Sequence, residues 1–253
     1  NIALDIETLN QATLKGTYDI CAISFALYPF VKDDFALLKT AVSFGEGYGP
    51  KLIKKKGTVL KRNFKVALSG EYTTNALLFK IAYPNARISY MNFLEIEDAV
   101  MNGDVDAGVL IHESILTYNQ ELEVEREMWD VWVELSGGGL PLPLGGMCMR
   151  RSIPLLSAID YENTLIKAVE VANKNRHVLA PMLLEKGLIR VDAPTLDKYL
   201  DLYANDNSVK MSELQYKAID KLFELGYKNG FYQDLIKAED FLIPAEYEEL
   251  RAR

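Results

Sequence analysis

The sequence predicts an α/β protein made of two lobes, and two observations carry this prediction. Between residues 64 and 111, strand-like and helix-like segments alternate, which is typical of a parallel sheet with helical crossovers. A run rich in glycine and proline, residues 136–146, separates this array from a tail that reads as helical from Pro154 onward. We therefore expect the chain to cross between two lobes at this run.

The first lobe is expected to open with a helix and a buried strand. Residues 9–14 predict a short helix that Gly16 ends. Residues 19–31 are almost all apolar, which indicates a strand followed by a short helix. A glycine-rich loop at residues 45–50 then leads into a basic stretch that we interpret as a solvated hairpin.

The second lobe shows the clearest alternation of elements. We expect strands at residues 64–69, 87–91 and 105–111, and helices at residues 73–83 and 95–102. Pro84 and Gly103 directly follow the two helices, where such residues commonly end a helix. A further helix at residues 127–135 precedes the crossing.

The tail predicts helices at residues 161–173, 196–203 and 212–225, with Gly226 and Gly230 as stops. Together these elements predict the domain boundaries. One lobe is expected to comprise residues 1–62 and 143–253, and the other residues 63–142, with crossings near residues 60–66 and 140–146.

Composition excludes several classes of partner. The chain has 28 Lys and Arg against 36 Asp and Glu, a net charge of −8, which argues against binding to nucleic acid or to an anionic membrane. No run of 18 or more apolar residues is present, so no transmembrane helix is expected, and no signal peptide is visible. Cys21 and Cys148 lie far apart and lack metal-ligand spacing, so we expect two buried thiols, no metal site and a cytoplasmic location.

A strand, a glycine and two threonines occur together at Gly70-Glu71-Tyr72-Thr73-Thr74. The first N–H groups of a helix lack partners within it, and the helix dipole favours negative charge there. Thr73 and Thr74 could therefore help bind a carboxylate. Either could equally be an ordinary helix cap, and the residue pattern leaves both interpretations open.

The chain has only two histidines, and His112 is the better catalytic candidate. It follows a predicted parallel strand at the carboxyl end, where open α/β sheets bind ligands, and imidazole is well suited to proton transfer near neutral pH. A lone histidine is more often structural, as we expect for His177. Ser24 lies in an apolar run, so its hydroxyl either bonds a neighbouring carbonyl or faces a cleft.

Five short motifs follow one another in a fixed order along the chain: Asp5-Ile6-Glu7-Thr8-Leu9-Asn10, Gly47-Tyr48-Gly49-Pro50, Gly70-Glu71-Tyr72-Thr73-Thr74, Ile111-His112-Glu113-Ser114 and Gly139-Leu140-Pro141-Leu142-Pro143-Leu144-Gly145. Together they resemble the 1,4-dihydroxy-6-naphthoate synthase family of the futalosine route to menaquinone. Chorismate dehydratase shares that superfamily, but the His-Glu-Ser and Leu-Pro-Leu-Pro-Leu-Gly segments favour the naphthoate synthases. The family's first strand lies upstream of residue 1 of this chain, which begins without Met.

The resemblance implies a two-lobed fold like that of type II periplasmic binding proteins, with the ligand cleft between the lobes. It implies a lyase that converts cyclic dehypoxanthine futalosine to 1,4-dihydroxy-6-naphthoate without a metal or an organic cofactor. In this resemblance His112 matches the catalytic base, and Ser24, Thr73 and Thr74 match cleft hydroxyls that bind substrate. Ala22 stands where relatives commonly carry a lysine.

The expected partner is a small anionic substrate, and the sequence leaves a homodimer open. One alternative is a non-catalytic solute-binding protein of the same fold that binds a small organic anion. Fold alone does not separate the two, because unrelated functions share folds. A ligand-sensing module is a weaker alternative, since it would need a fused effector domain.

Overall fold

A computed structural model describes residues 4–187, 191–203 and 205–244 of the chain. The helices in these ranges are α1 (Ile6–Leu14), α2 (Thr74–Ala82), α3 (Ile96–Asn102), α4 (Met128–Ser136), α5 (Leu155–Lys174), α6 (Arg176–Glu185), α7 (Ala193–Tyr203) and α8 (Glu213–Lys228). The strands are β1 (Ile20–Ser24), β2 (Phe35–Leu37), β3 (Ser43–Gly45), β4 (Lys51–Lys55), β5 (Lys65–Leu68), β6 (Arg87–Tyr90), β7 (Ala107–Leu110), β8 (Leu122–Glu127) and β9 (Leu142–Arg150). The predicted α/β class is confirmed.

The first sheet is built around β9, which is hydrogen bonded to β1, β2 and β3 in antiparallel pairs. The crossing expected near residues 140–146 falls on the start of this strand, Leu142–Arg150. Glycine allows close strand packing here. A Cβ added at Gly145 would lie 2.6 Å from the carbonyl oxygen of Ile23, and one at Gly146 would lie 2.9 Å from the Phe25 ring.

The second sheet has the strand order β6-β5-β7-β4-β8. Strand β5 is parallel to β6 and β7, as the alternation of strands and helices predicts. Strands β4 and β8 add antiparallel neighbours, and β8 had no counterpart in the sequence prediction. The boundary expected at residue 62 does not match the sheets. Strand β4 lies before residue 62, yet it pairs with β7 on one edge and with β8 on the other, so it belongs to the second sheet.

The basic stretch belongs to this sheet and does not form a separate solvated hairpin. Lys54 lies 2.5 Å from the Glu125 carboxylate, and Lys51 lies 3.5 Å from that of Glu127. Both carboxylates are on β8 or at its end, so the lysines of β4 are compensated across the strand pair.

The tail is helical, as predicted, but one expected stop is not observed. Gly226 lies inside α8 and does not end it. A glycine is needed at this position because the Tyr232 ring lies only 2.0 Å from where a Cβ would stand.

The hydrophobic core is continuous between the two sheets and includes the fully buried Trp132, whose Nε1 donates to the Leu140 carbonyl at 2.9 Å. Cys21 and Cys148 are buried, unbridged and opposite each other on β1 and β9. None of the helices in the described ranges combines the length and apolar character needed to cross a bilayer.

Candidate active site

A cavity of about 520 Å³ lies between the two sheets. One wall comes from β1 and β9, and the facing wall from the ends of β5 and β7 and the start of α2. Its volume falls within the range of roughly 300–1,000 Å³ that is typical of small-molecule sites. The four residues singled out in the sequence, Ser24, Thr73, Thr74 and His112, all line this cavity.

His112 stands just after β7, at the first position of a 3-10 turn, His112–Ile115. Its backbone φ is +53°, a left-handed value that is unusual for a residue other than glycine and that often occurs at functional sites. The Phe93 ring contacts the imidazole edge-to-face at 5.2 Å. Burial lowers the pKa of His112 below its ordinary value of 6.5, and the nearby carboxylates of Glu113 and Asp5 oppose this shift more weakly. The imidazole is therefore mostly neutral at pH 7 and able to accept a proton.

Ser24 ends β1 and is held by Asn10 of α1. The Asn10 side chain accepts the Ser24 backbone N–H at 2.9 Å and donates to Ser24 Oγ at 3.2 Å. A hydroxyl that accepts one hydrogen bond can still donate its own proton, so Ser24 remains able to bind a ligand oxygen. Asn10 itself is 0% exposed, and it fixes Ser24 without lining the cavity.

The two threonines face the cavity with their hydroxyls already bonded within the protein. Thr73 caps α2, since its Oγ1 accepts the Ala76 N–H at 3.3 Å. Thr74 Oγ1 donates to the Leu144 carbonyl of β9 at 3.0 Å, which links α2 to the first sheet. The ordinary cap interpretation therefore describes Thr73. What α2 offers to a ligand is chiefly its first-turn N–H groups, which have no acceptor within the helix.

The helical tail closes one side of the cavity, which the sequence had not suggested. Val169, Ala172 and Asn173 of α5 and Tyr199 of α7 line it. The helical spacing of Val169 and Ala172 marked an apolar face, but nothing local showed what that face covers. By contrast, His177 is exposed on α6 and does not line the cavity, in keeping with a non-catalytic role.

The cavity wall is mainly apolar, with hydroxyl and amide groups at intervals. Among the described residues that line it, none is Lys, Arg, Asp or Glu. An anion in this cavity would thus depend on hydroxyls, amides and the positive end of α2. Within the described ranges, no group of three or more His, Cys, Asp or Glu side chains could hold a metal ion.

Comparison with known proteins places the chain in one family. Residues 1–228 match a family described as menaquinone biosynthesis. A relative from Streptomyces coelicolor, a 1,4-dihydroxy-6-naphthoate synthase, is 32% identical over 233 residues, which is 89% of this chain and 82% of the relative.

Solved structures show the fold that the chain shares. Protein AF1704 from Archaeoglobus fulgidus superposes with a TM-score of 0.82 at 31% identity, covering 90% of this chain and 86% of that one. The periplasmic aliphatic sulphonate binding protein SsuA from Escherichia coli superposes with a TM-score of 0.65 at 13% identity, covering 94% and 84%. The second match shows the fold alone, which is the two-lobed periplasmic-binding-protein fold that the sequence predicted. The chain belongs to the menaquinone biosynthesis family whose members include the 1,4-dihydroxy-6-naphthoate synthases.

Proposed function

We propose that this protein is a lyase that cleaves cyclic dehypoxanthine futalosine to 1,4-dihydroxy-6-naphthoate, with His112 as the general base. The observation that carries the proposal is the position of His112. It is the histidine that follows a strand of the second sheet, it lines the cavity between the sheets, and burial keeps its imidazole neutral near pH 7. A neutral imidazole within reach of a substrate proton is the arrangement that general base catalysis requires.

The surroundings of His112 suit an elimination reaction. The apolar residues Ile6, Ile111 and Leu144 line the same cavity and limit the water around the base. Ser24 is positioned to donate a hydrogen bond to a substrate oxygen, and the start of α2 at Thr73 and Thr74 favours a carboxylate. Proton abstraction by His112 would then start an elimination that ends in the aromatic naphthol. A positioned base of this kind typically contributes about 10²–10⁴-fold to the rate.

The fold supports a second candidate, a solute-binding protein that captures a small organic anion without changing it. The likeness to a sulphonate binding protein favours this alternative, because proteins of that fold close their lobes around a ligand. The partly buried histidine with a left-handed backbone φ favours the enzyme, since binding alone does not need a neutral base.

The two candidates are distinguished by incubating the purified protein with cyclic dehypoxanthine futalosine and following the naphthoate by mass spectrometry. The lyase forms the product with many turnovers per protein molecule. Recovery of unchanged substrate, bound in a stoichiometric complex, would overturn the lyase proposal in favour of the solute-binding alternative.

A further inference from the structure

The hydroxyl of Ser69 is buried beside the cavity and makes no hydrogen bond. Ser69 directly follows β5, lines the cavity and is 6% exposed. In the part of the chain that the structure describes, its Oγ is one of two buried side-chain oxygens without a partner. The other, on Glu127, does not line the cavity. Such groups are rare in folded proteins because burial removes their hydrogen bonds to water.

Folding does not explain this hydroxyl. It caps no helix, since Thr73 caps α2, and it bonds no strand neighbour. The other cavity residues of the same turn have their hydroxyls engaged, Thr73 with the Ala76 N–H and Thr74 with the Leu144 carbonyl. An alanine at position 69 would fill the same place in the empty protein and bury one polar atom fewer.

A ligand oxygen would supply the missing partner, and the start of α2 indicates its charge. Helix α2 has nine residues, and its first-turn N–H groups lack acceptors within the helix, which favours an anion at that end. The described residues that line the cavity include no Lys or Arg that would compensate such an anion elsewhere. Ser69, with its unsatisfied hydroxyl, and the anion-favouring start of α2 therefore lie on the same wall.

We propose that Ser69 is a substrate-binding residue whose side chain rotates toward the cavity, so that its Oγ donates a hydrogen bond to the carboxylate of the bound substrate, beside the N-terminus of α2. The identity of the substrate rests on the proposed function. The role of Ser69 is specificity for the carboxylate, since a ligand without that group would leave the hydroxyl without a partner, as it is in the empty cavity.

The test compares wild type with Ser69→Ala in two measurements, ligand affinity, which should fall, and stability, which should not. The first is the affinity for 1,4-dihydroxy-6-naphthoate and for 1,4-dihydroxynaphthalene, which lacks the carboxylate, both kept reduced during calorimetry. Losing a hydrogen bond to a charged group should weaken naphthoate binding roughly tenfold to a hundredfold and leave the dihydroxynaphthalene affinity nearly unchanged. The second is the urea midpoint of the empty protein, which should stay the same or rise.

Thr13→Val is the matched control. Thr13 is 1% exposed and donates to the Leu9 carbonyl at 2.9 Å, away from the cavity. This variant should lower the urea midpoint and leave the naphthoate affinity unchanged, the reverse of Ser69→Ala.

The outcomes separate the two proposals. If wild type turns over the futalosine and Ser69→Ala keeps full naphthoate affinity, the role of Ser69 is overturned and the proposed function stays intact. An equal loss of affinity for both ligands would also overturn it, because the hydroxyl would not be acting on the carboxylate. Wild type without turnover would overturn the proposed function and, with it, the identity of the carboxylate ligand.

Discussion

Replacing Asn10 with leucine should destabilise the protein because Asn10 fixes the end of β1 at the cavity wall. Its side chain is fully buried and makes three hydrogen bonds, with the Ser24 N–H at 2.9 Å, with Ser24 Oγ at 3.2 Å and with the Glu7 carboxylate at 3.3 Å. Leucine has a similar size but can form none of them. The Ser24 N–H would then be buried without an acceptor.

The magnitude follows from these contacts. An unsatisfied buried donor costs roughly 1–3 kcal/mol, and the lost bond to the Ser24 hydroxyl adds about 1 kcal/mol. We therefore expect the free energy of unfolding to fall by about 2–4 kcal/mol, and the KM for substrate to rise as Ser24 loses its fixed position. Equilibrium urea unfolding at constant m-value measures the first quantity.

The same substitution at an exposed site provides the control. Asn102, at the end of α3, is exposed, and Asn102→Leu should change the free energy of unfolding by no more than about 0.5 kcal/mol. If Asn10→Leu were as mild as Asn102→Leu, the network around Ser24 would not be a structural support of the site.

Two further predictions concern α2 and the titration of His112. Thr74→Val should lower the free energy of unfolding by about 1–3 kcal/mol, because the Leu144 carbonyl loses its donor, whereas Thr74→Ser should stay within about 1 kcal/mol in the same urea titration. Equal effects of the two variants would show that the hydroxyl does not link α2 to β9. The pH profile of kcat/KM should fall at acid pH with its midpoint below 6.5, because burial lowers the pKa of His112 in the folded protein. The same shift should make the folded state lose stability as the pH drops from 6.5 towards that lowered pKa, since the unfolded chain then binds the proton more tightly. A midpoint of the kcat/KM profile at or above 6.5 would contradict the burial argument.

The alternating segment from β5 to β7 was predictable because its signals are local. Apolar runs, Pro84 and the glycine after α3 mark each element within a few residues. The short strands β2, β3 and β8 were missed because their stability comes from pairing with β9 and β4, which are far away in sequence. Strand β9 extends beyond the crossing expected near residues 140–146, and Gly145 and Gly146 allow its close packing.

The site was predictable to a similar degree. Ser24, Thr73, Thr74 and His112 stand at strand ends or a helix start, where the chain pattern itself points to a cleft, and the structure brings them to one cavity. Ser69 has no distinguishing neighbourhood in the sequence, and its unsatisfied hydroxyl appears only once the atoms around it are placed. The contribution of Tyr199 depends on how the tail folds back over the first sheet, which no local pattern indicates.

The turnover of His112→Asn shows whether His112 is the base of a lyase reaction. Asparagine retains hydrogen bonding but cannot accept a proton near pH 7. His177→Asn makes the same change at the exposed histidine of α6 and serves as the control. At saturating cyclic dehypoxanthine futalosine, we expect kcat to fall by about 10²–10⁴-fold in His112→Asn, while naphthoate affinity and the turnover of His177→Asn stay near wild type. Turnover by His112→Asn at the wild-type rate would contradict this role of His112.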